Sequence, residues 1–197
     1  AARALDARLC ARLRDWEADG LLRSLRPPSG VDLSSNDYLQ LSSHPHVVSH
    51  FADAVRRSGA GSTGSRLLRG EREGFAQVER RFAAFKGAGA SRYFSSGYLA
   101  NLAVLTTLAD AGDVILSDER NHASLIDGAR LSRATTSVFP HNDVAELKRV
   151  LALLGHDGPA TALRFVVVES LFSMDGDMAP LADYAEVCDA HGAALIV

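Results

Sequence analysis

The sequence predicts an α/β fold, a three-layer α/β/α arrangement around a mainly parallel sheet. From residue 92 onward, short apolar runs typical of strands alternate with longer helical patterns over short connections, and such alternation indicates βαβ units. In addition, residues 165–168 (FVVV) are four consecutive apolar, mostly β-branched residues. Such a run suits a strand that is buried on both faces, as in a parallel sheet.

The composition is ordinary for a globular protein and argues against several classes of partner. A chain of 197 residues predicts one domain, or one and a part. The net charge of −3, without a block of Lys or Arg, argues against nucleic acid. The apolar runs are too short for a membrane span, and no signal-peptide pattern opens the chain. Cys10 and Cys188 lack metal-ligand spacing, so we expect reduced thiols in a cytoplasmic protein and no metal.

The first third of the chain predicts few regular elements. Leucines and Trp16 recur at helical spacing over residues 3–19. Residues 23–30 are predicted to form a linker, residues 31–34 a short strand and residues 45–58 a helix. Residues 59–70 (GAGSTGSRLLRG) are rich in Gly and Ser and predict a functional or flexible loop.

The rest of the chain predicts regular elements that follow one another closely. Helices are predicted at 75–85, 98–108, 124–131, 144–154 and 182–190, and strands at 92–95, 113–117, 135–139, 164–169 and 193–197.

Polar turns follow several of these strands, at the edge where open α/β sheets bind ligands. The turn Ser95-Ser96-Gly97-Tyr98 leads from a strand into a helix. Small residues and the first amides of a helix suit an anion, above all a phosphate. A tight turn with a serine N-cap is the simpler alternative.

Three side chains near the same edge are further candidates. His122 is either a capping residue or a ring that faces a bound aromatic cofactor. Glu169 directly ends a buried strand, and a carboxylate in that position needs a partner. Ser173 either donates to a ligand or shapes the turn 173–177, whose single Asp-Gly-Asp is weak evidence for a metal.

Residues before the alternating region are candidates for binding a small substrate. Asn36 predicts either an Asx-type turn or a polar contact to a substrate. Arg23, Arg26 and Arg66 are candidate clamps for a carboxylate or phosphate, because a guanidinium can bind such groups with two parallel hydrogen bonds.

Together these segments resemble a known family. The motifs SSNDYL, GSTGSRLLRG, SSGYLAN, SDERNHASLIDGARLS, HND and ESLFSMDGDMAPL, in this order, resemble the α-oxoamine synthases, which are fold-type-I enzymes dependent on pyridoxal 5′-phosphate (PLP). Within the family they are most similar to the members that make 8-amino-7-oxononanoate for biotin. The resemblance implies a major domain of the aspartate aminotransferase-like, PLP-dependent transferase type. Residues 45–197 would form its N-terminal part, and residues 1–44 would supply the helix, linker and strand of a small domain.

The resemblance also implies roles for individual residues. Gly97 and Tyr98 would hold the PLP phosphate, His122 would stack on the pyridine ring, and Ser173 would contact the cofactor. His122 and Glu169 would be the catalytic residues of this chain.

Substrate contacts are implied in the same way. Asn36 would place the amino-acid carboxylate. Arg23, with Arg26 as the alternative, would bind the carboxylate of the acyl substrate, and His122 would also face the substrates. Residues 61–68 (GSTGSRLL) would lie near the active site at the interface of a homodimer.

The implied activity is that of a cytoplasmic PLP-dependent acyltransferase. It would condense an amino acid, L-alanine, with an acyl-CoA or acyl-ACP, pimeloyl, and release CO₂. The alternatives are 2-amino-3-ketobutyrate CoA ligase, 5-aminolevulinate synthase and serine palmitoyltransferase. An alternative of another class is a non-catalytic α/β subunit.

The positions of the two lysines are relevant to the non-catalytic alternative. Neither Lys86 nor Lys148 fits the family's Schiff-base lysine, so we expect this chain alone to be inactive. The chain begins without Met and ends inside the apolar run AALIV, from which we expect a truncated major domain.

Overall fold

A computed structural model describes residues 2–27, 29–155 and 162–197. The chain forms two compact units, residues 1–64 and residues 65–197. The predicted domain division after residue 44 falls inside the first unit and stays a prediction. Pro28 of the predicted linker lies outside the described residues.

The described residues of the first unit form two α-helices, α1 (Ala2–Ala18) and α2 (Pro45–Ser58), as predicted. Helix α2 begins at a proline, whose missing N–H costs nothing in the first turn. The predicted strand at residues 31–34 is wrong. The Asp32 carboxylate accepts hydrogen bonds from the backbone N–H and the hydroxyl of Ser34, and this local pairing turns the chain instead of extending it.

The second unit is built on a parallel sheet, which confirms the prediction. The strands are β1 (Val114–Asp118), β2 (Thr135–Phe139), β3 (Arg164–Val167), β4 (Leu171–Phe172), β5 (Asp177–Met178) and β6 (Ala194–Ile196). Within the described residues the sheet has four strands, in the order β2-β1-β3-β6, and the short strands β4 and β5 form a separate antiparallel hairpin. The helices are α3 (Glu73–Lys86), α4 (Gly97–Leu108), α5 (Ala123–Leu131), α6 (Val144–Leu154) and α7 (Leu181–His191).

Alternating side chains of the central strands pack on the two faces of the sheet. Ile115 and Phe165 pack with Leu105 of α4 and Leu125 of α5. On the other face, the cluster of Leu116, Val166 and Val168 includes side chains of α6 and α7, among them Leu147, Leu151, Tyr184 and Val187. The three-layer α/β/α prediction is therefore confirmed.

Two details of the predicted strands are wrong. Residues 92–95 form no strand, because the backbone N–H of Tyr93 donates to the Glu79 carboxylate at 3.0 Å instead of to a neighbouring strand. The strand β3 ends at Val167, two residues before the predicted end at Glu169. The predicted polar turn 173–177 lies largely within the β4–β5 hairpin.

Candidate functional site

A cleft of about 520 Å³ opens at the carboxyl edge of the sheet. Four of the predicted site residues line it: Gly97, Tyr98, His122 and Glu169. They come from the starts of two helices and the end of one strand, so separate turns of the sequence meet at one edge. The volume lies in the range of small-molecule sites.

The first turn of α4 forms one wall of the cleft. The hydroxyl of Ser96 accepts a hydrogen bond from the backbone N–H of Leu99 at 3.2 Å, so Ser96 caps the helix as the simpler alternative predicted. The amides of Gly97 and Tyr98 come before the first intrahelical hydrogen bonds of α4. A Cβ atom added to Gly97 would meet nothing within 4 Å. Backbone donors at a helix N-terminus, with open space beside them, suit an anion.

The side chain of Tyr98 is tied to the neighbouring helix. Its hydroxyl donates to Oδ2 of Asp127 on α5, and this hydrogen bond, with burial and the carboxylate charge, raises the pKa of Tyr98. The ring lies edge-on to the ring of His122, with 6.4 Å between centroids and 78° between planes. The phenol is thus occupied by a protein partner, which leaves the backbone amide as the donor for an anion.

His122 caps the first turn of α5. Its Nδ1 atom accepts from the backbone N–H of Ser124 at 3.2 Å and lies 2.7 Å from the Ser124 hydroxyl. Asn101 of α4 donates to the same hydroxyl at 2.9 Å. With Nδ1 accepting from the backbone, the neutral ring carries its proton on Nε2. Both predicted roles are therefore compatible, since a capping histidine still lines the cleft.

Glu169 has the partner that its position requires. Its Oε1 atom accepts the backbone N–H of His122 at 2.5 Å. The residue is half-buried next to the fully buried Val168. A charged acceptor on a backbone donor is among the stronger hydrogen bonds of a protein, so Glu169 holds the turn that carries His122.

The other predicted residues have different surroundings. Ser173 lies exposed in the β4–β5 turn and is not among the lining residues. Arg23 and Asn36 belong to the first unit, and their substrate roles stay predictions. Arg26 donates to the Ser24 hydroxyl at 2.9 Å. Arg66 is a poor candidate clamp, because its guanidinium already pairs with two carboxylates, those of Glu71 and Glu79.

Several residues of the cleft were not predicted. Ser124, which is fully buried, and Asn101 order the His122 ring, and Ser170 lines the opening. Ser124 stands two positions after a capping residue, where side chains commonly contact the cap, and this was the available signal. The contact of Asn101 joins residues 23 apart, and no local pattern predicts it.

Residues 2–27, 29–155 and 162–197 contain neither a group of metal ligands nor a membrane-spanning helix. These residues contain no group of three or more His, Cys, Asp or Glu side chains that could hold a metal ion. No helix among them has both the length and the apolar character needed to cross a membrane.

Sequence comparison finds one matching family model and many similar proteins. Residues 28–197 match the model "Aminotransferase class I and II". The 8-amino-7-oxononanoate synthase of Mycolicibacterium gilvum (strain PYR-GCK) is 48% identical over 184 residues, 91% of this chain and 47% of that protein. The same-named protein of Burkholderia pseudomallei (strain 1710b) is 45% identical over 194 residues, 96% of this chain and 48% of that protein. The chain thus spans about half the length of these curated relatives.

Solved structures of similar fold point the same way. A serine palmitoyltransferase from S. paucimobilis, bound to PLP and myriocin, matches 95% of this chain and 50% of its own with a TM-score of 0.81 and 29% identity. The Sphingomonas wittichii serine palmitoyltransferase matches 81% of this chain and 39% of its own, with a TM-score of 0.75 and 38% identity. The 8-amino-7-oxononanoate synthase of Francisella tularensis matches 80% and 42%, with a TM-score of 0.66 and 30% identity. The predicted resemblance and fold class are confirmed.

Proposed function

Because the chain belongs to the aminotransferase class I and II family, we propose that it supplies the phosphate-binding and ring-binding half of a PLP site in an α-oxoamine synthase. The full-length protein would join L-alanine to a pimeloyl thioester with loss of CO₂, giving 8-amino-7-oxononanoate for biotin. The curated relatives at 45–50% identity carry that enzyme's name, which supports this choice within the family.

The observation that carries the proposal is the meeting of Gly97, Tyr98, His122 and Glu169 in one cleft. A phosphorylated aromatic ring needs an anion site for its phosphate and a flat side chain on which the ring can stack. The two must lie about as far apart as the phosphate and the ring of one molecule. The first amides of α4 provide the former, with open space over Gly97. The imidazole of His122, exposed in the same cleft, provides the latter. The residues present therefore fit PLP.

Each residue has a distinct task in this site. The backbone amides of Gly97 and Tyr98 bind the phosphate, and the charge of the helix terminus adds to their attraction. His122 orients the ring, and Ser124 and Glu169 hold His122 in place. PLP, when bound, supplies the electron-withdrawing ring that makes loss of a proton from the amino acid's Cα possible. Precise positioning of reactants by such groups can contribute about 7–11 kcal/mol to lowering a barrier.

Further parts of the proposal depend on residues outside the cleft. We assign the acyl carboxylate to Arg23, the amino-acid carboxylate to Asn36 and a cofactor contact to Ser173, on the resemblance alone. We also infer a cytoplasmic homodimer. The free thiols of Cys10 and Cys188 are compatible with a reducing compartment.

Binding of PLP tests the cleft directly. Equilibrium dialysis should show that His122→Ala weakens PLP binding roughly two- to tenfold, because an aromatic pair contributes about 0.5–1.5 kcal/mol. The matched control is His191→Ala, since His191 lies at the end of α7 and its Nδ1 atom contacts the Val187 carbonyl oxygen of its own helix. Equal loss in both variants, or none in either, would remove His122 from the site.

Product analysis tests the reaction. The full-length protein should be supplied with PLP, with L-alanine, glycine or L-serine, and with acyl thioesters of increasing length, and the products identified by mass spectrometry. We expect 8-amino-7-oxononanoate from alanine and the pimeloyl thioester. The structural match to serine palmitoyltransferases makes condensation of serine with a long acyl chain the second candidate. No product with any pair would favour the non-catalytic alternative.

A further inference from the structure

A partly buried histidine joins two carboxylates next to the candidate site. His141 follows strand β2, Asp118 ends β1 and Asp177 begins β5. The Nδ1 atom of His141 lies 2.9 Å from Oδ1 of Asp118, and its Nε2 atom lies 2.8 Å from Oδ2 of Asp177. The Asp118 side chain is fully buried and that of His141 is 11% exposed. None of the three lines the cleft.

These two contacts constrain the protonation of the ring. A neutral imidazole has one N–H group, whereas an ionised carboxylate only accepts hydrogen bonds. With a carboxylate oxygen at each ring nitrogen, both contacts are favourable only when both nitrogens carry a proton. One competing arrangement exists: Nδ2 of Asn142 lies 3.2 Å from Nε2 and could donate to a neutral ring. However, the same amide nitrogen also lies 2.9 Å from Oδ2 of Asp177, where it has a better acceptor.

The ring also connects two parts of the fold. Asp118 belongs to the central sheet, whereas Asp177 belongs to the separate β4–β5 hairpin. The His141 ring lies edge-on to Phe172 of the same hairpin, with 4.4 Å between centroids. The hairpin begins directly after Glu169 and Ser170, two residues that line the cleft. Fastening the hairpin therefore also limits the movement of that side of the cleft.

We propose that His141, as an imidazolium bridging Asp118 and Asp177, fastens the β4–β5 hairpin to the end of the central strand, so that docking of the hairpin is linked to binding of one proton. His141 is thus a positioning residue that acts through the hairpin. The inference does not rest on the proposed function, because it concerns contacts within the chain.

The charged and titratable groups around His141 favour the cation. Asp118 also accepts hydrogen bonds from the backbone N–H groups of Arg120 and Asn142, so three donors meet at this carboxyl group when the His141 ring donates to it. The Arg120 side chain is directed to a different partner, Asp175 in the hairpin turn, at 2.6 Å. Two further titratable groups of the described residues lie nearby: Tyr184 of α7, whose hydroxyl lies 3.5 Å from Oδ1 of Asn142, and Asp143, which caps α6.

The direction of the pH effect follows from the pKa of His141. Burial alone lowers this pKa, but the hydrogen bonds and charges of Asp118 and Asp177 outweigh burial and raise it above its ordinary value. The same pairing lowers the pKa of Asp177. A raised histidine pKa gives stability that is fully present below the unfolded value, near 6.5, and is lost as the pH rises through the folded value.

Nuclear magnetic resonance on the full chain tests the proposal. The ¹⁵N shifts of the His141 ring should show two N–H groups at pH 6 and titrate above the ordinary pKa of histidine. Amide exchange in the hairpin, including Gly176, which donates to the Phe172 carbonyl at 2.7 Å, should be measured over the same pH range. After correction for intrinsic exchange, protection of these amides should fall with rising pH by up to tenfold per pH unit, the limit for one proton.

Variants separate this effect from general loss of structure. His141→Gln removes the charge and should leave hairpin protection low and independent of pH. His191→Gln is the matched control and should keep the wild-type profile, because the Nδ1 atom of His191 contacts a backbone carbonyl. If His141→Gln does not fold, Asp177→Asn should lower the titration midpoint of the His141 ring. A neutral ring at pH 6 that accepts from Asn142, or hairpin protection with the same pH profile in wild type and His141→Gln, would overturn the proposal.

Discussion

The backbone N–H of His122 donates to Oε1 of Glu169, which joins the start of α5 to the residue pair that follows β3. The two residues are 47 positions apart in sequence. The pairing gives Glu169 a hydrogen-bond donor where a carboxylate next to a buried strand would otherwise be costly. It also makes the position of the His122 ring depend on a side chain from a different strand end.

Replacing Glu169 should test this dependence. Glu169→Ala leaves the His122 N–H without its charged acceptor, and we expect a loss of about 1.5–3 kcal/mol in the free energy of unfolding, measured with urea. Glu169→Gln keeps an acceptor oxygen and should recover most of that loss. The His122 amide proton should shift upfield in the alanine variant. Equal stability of the two variants would show that the hydrogen bond contributes little.

A variant of Tyr98 can show whether its phenol or its backbone amide binds the phosphate. Tyr98→Phe removes the hydrogen bond to Asp127 and should slightly reduce the free energy of unfolding, because water can solvate both groups at this exposed position. PLP affinity should stay unchanged, because the phosphate is expected to bind the amide, which the variant keeps. The control is Asp127→Asn, which retains an acceptor for the phenol. A large loss of PLP affinity in Tyr98→Phe alone would mean that the phenol itself binds the ligand.

The sheet and the helices that cover it could be predicted because their signals are local. The run 165–168 alternates its side chains between two buried clusters, and that burial on both faces is what an unbroken apolar run encodes. The predicted strand at 92–95 failed because Glu79 captures the Tyr93 amide. Nothing in four residues of sequence reveals a partner 14 positions away.

Some residues of the candidate site could be predicted from local sequence signals, and others could not. His122 and Glu169 follow the predicted strands β1 and β3, so their meeting at one edge followed from the fold class. The strand predicted before Gly97 and Tyr98 does not form, and only the start of helix α4 was predicted there. The role of His141 could not be predicted, because its two carboxylates are 23 and 36 residues away. The β4–β5 hairpin was missed since strands of two residues carry no periodic signal.

Because α4 packs closely against α5, we expect a methyl group added at Gly128 to lower the stability of the fold. A Cβ atom there would lie 3.0 Å from Cδ1 of Leu105 and 3.2 Å from the backbone oxygen of Asn101. We expect Gly128→Ala to destabilise by about 1–3 kcal/mol through overpacking, despite the better helix propensity of alanine. Gly74→Ala is the matched control, since that helical glycine has nothing within 4 Å, and it should be neutral or stabilising. Thermal unfolding of both variants decides the point.

The carboxylate of Glu79 predicts an acid-sensitive contribution to stability. It accepts hydrogen bonds from Arg66 at 2.6 Å and from the backbone of Tyr93 at 3.0 Å. These partners lower the pKa of Glu79 to about 2. Since the folded pKa lies below the unfolded value of about 4.3, the contribution is present above that value and is lost as the pH falls towards 2.

Melting temperatures measured from pH 7 to pH 2 should therefore show Glu79→Gln less stable than wild type at pH 7, with a difference that closes on acidification. Glu186→Gln, at an exposed position of α7, is the control and should stay close to wild type throughout. A difference that persisted unchanged at pH 2 would contradict ionisation as the cause.

Glu79→Gln should also weaken PLP binding at pH 7, because the segment that Glu79 holds leads directly into the Ser96 cap of α4. The loss of PLP affinity relative to wild type should be smaller near pH 3.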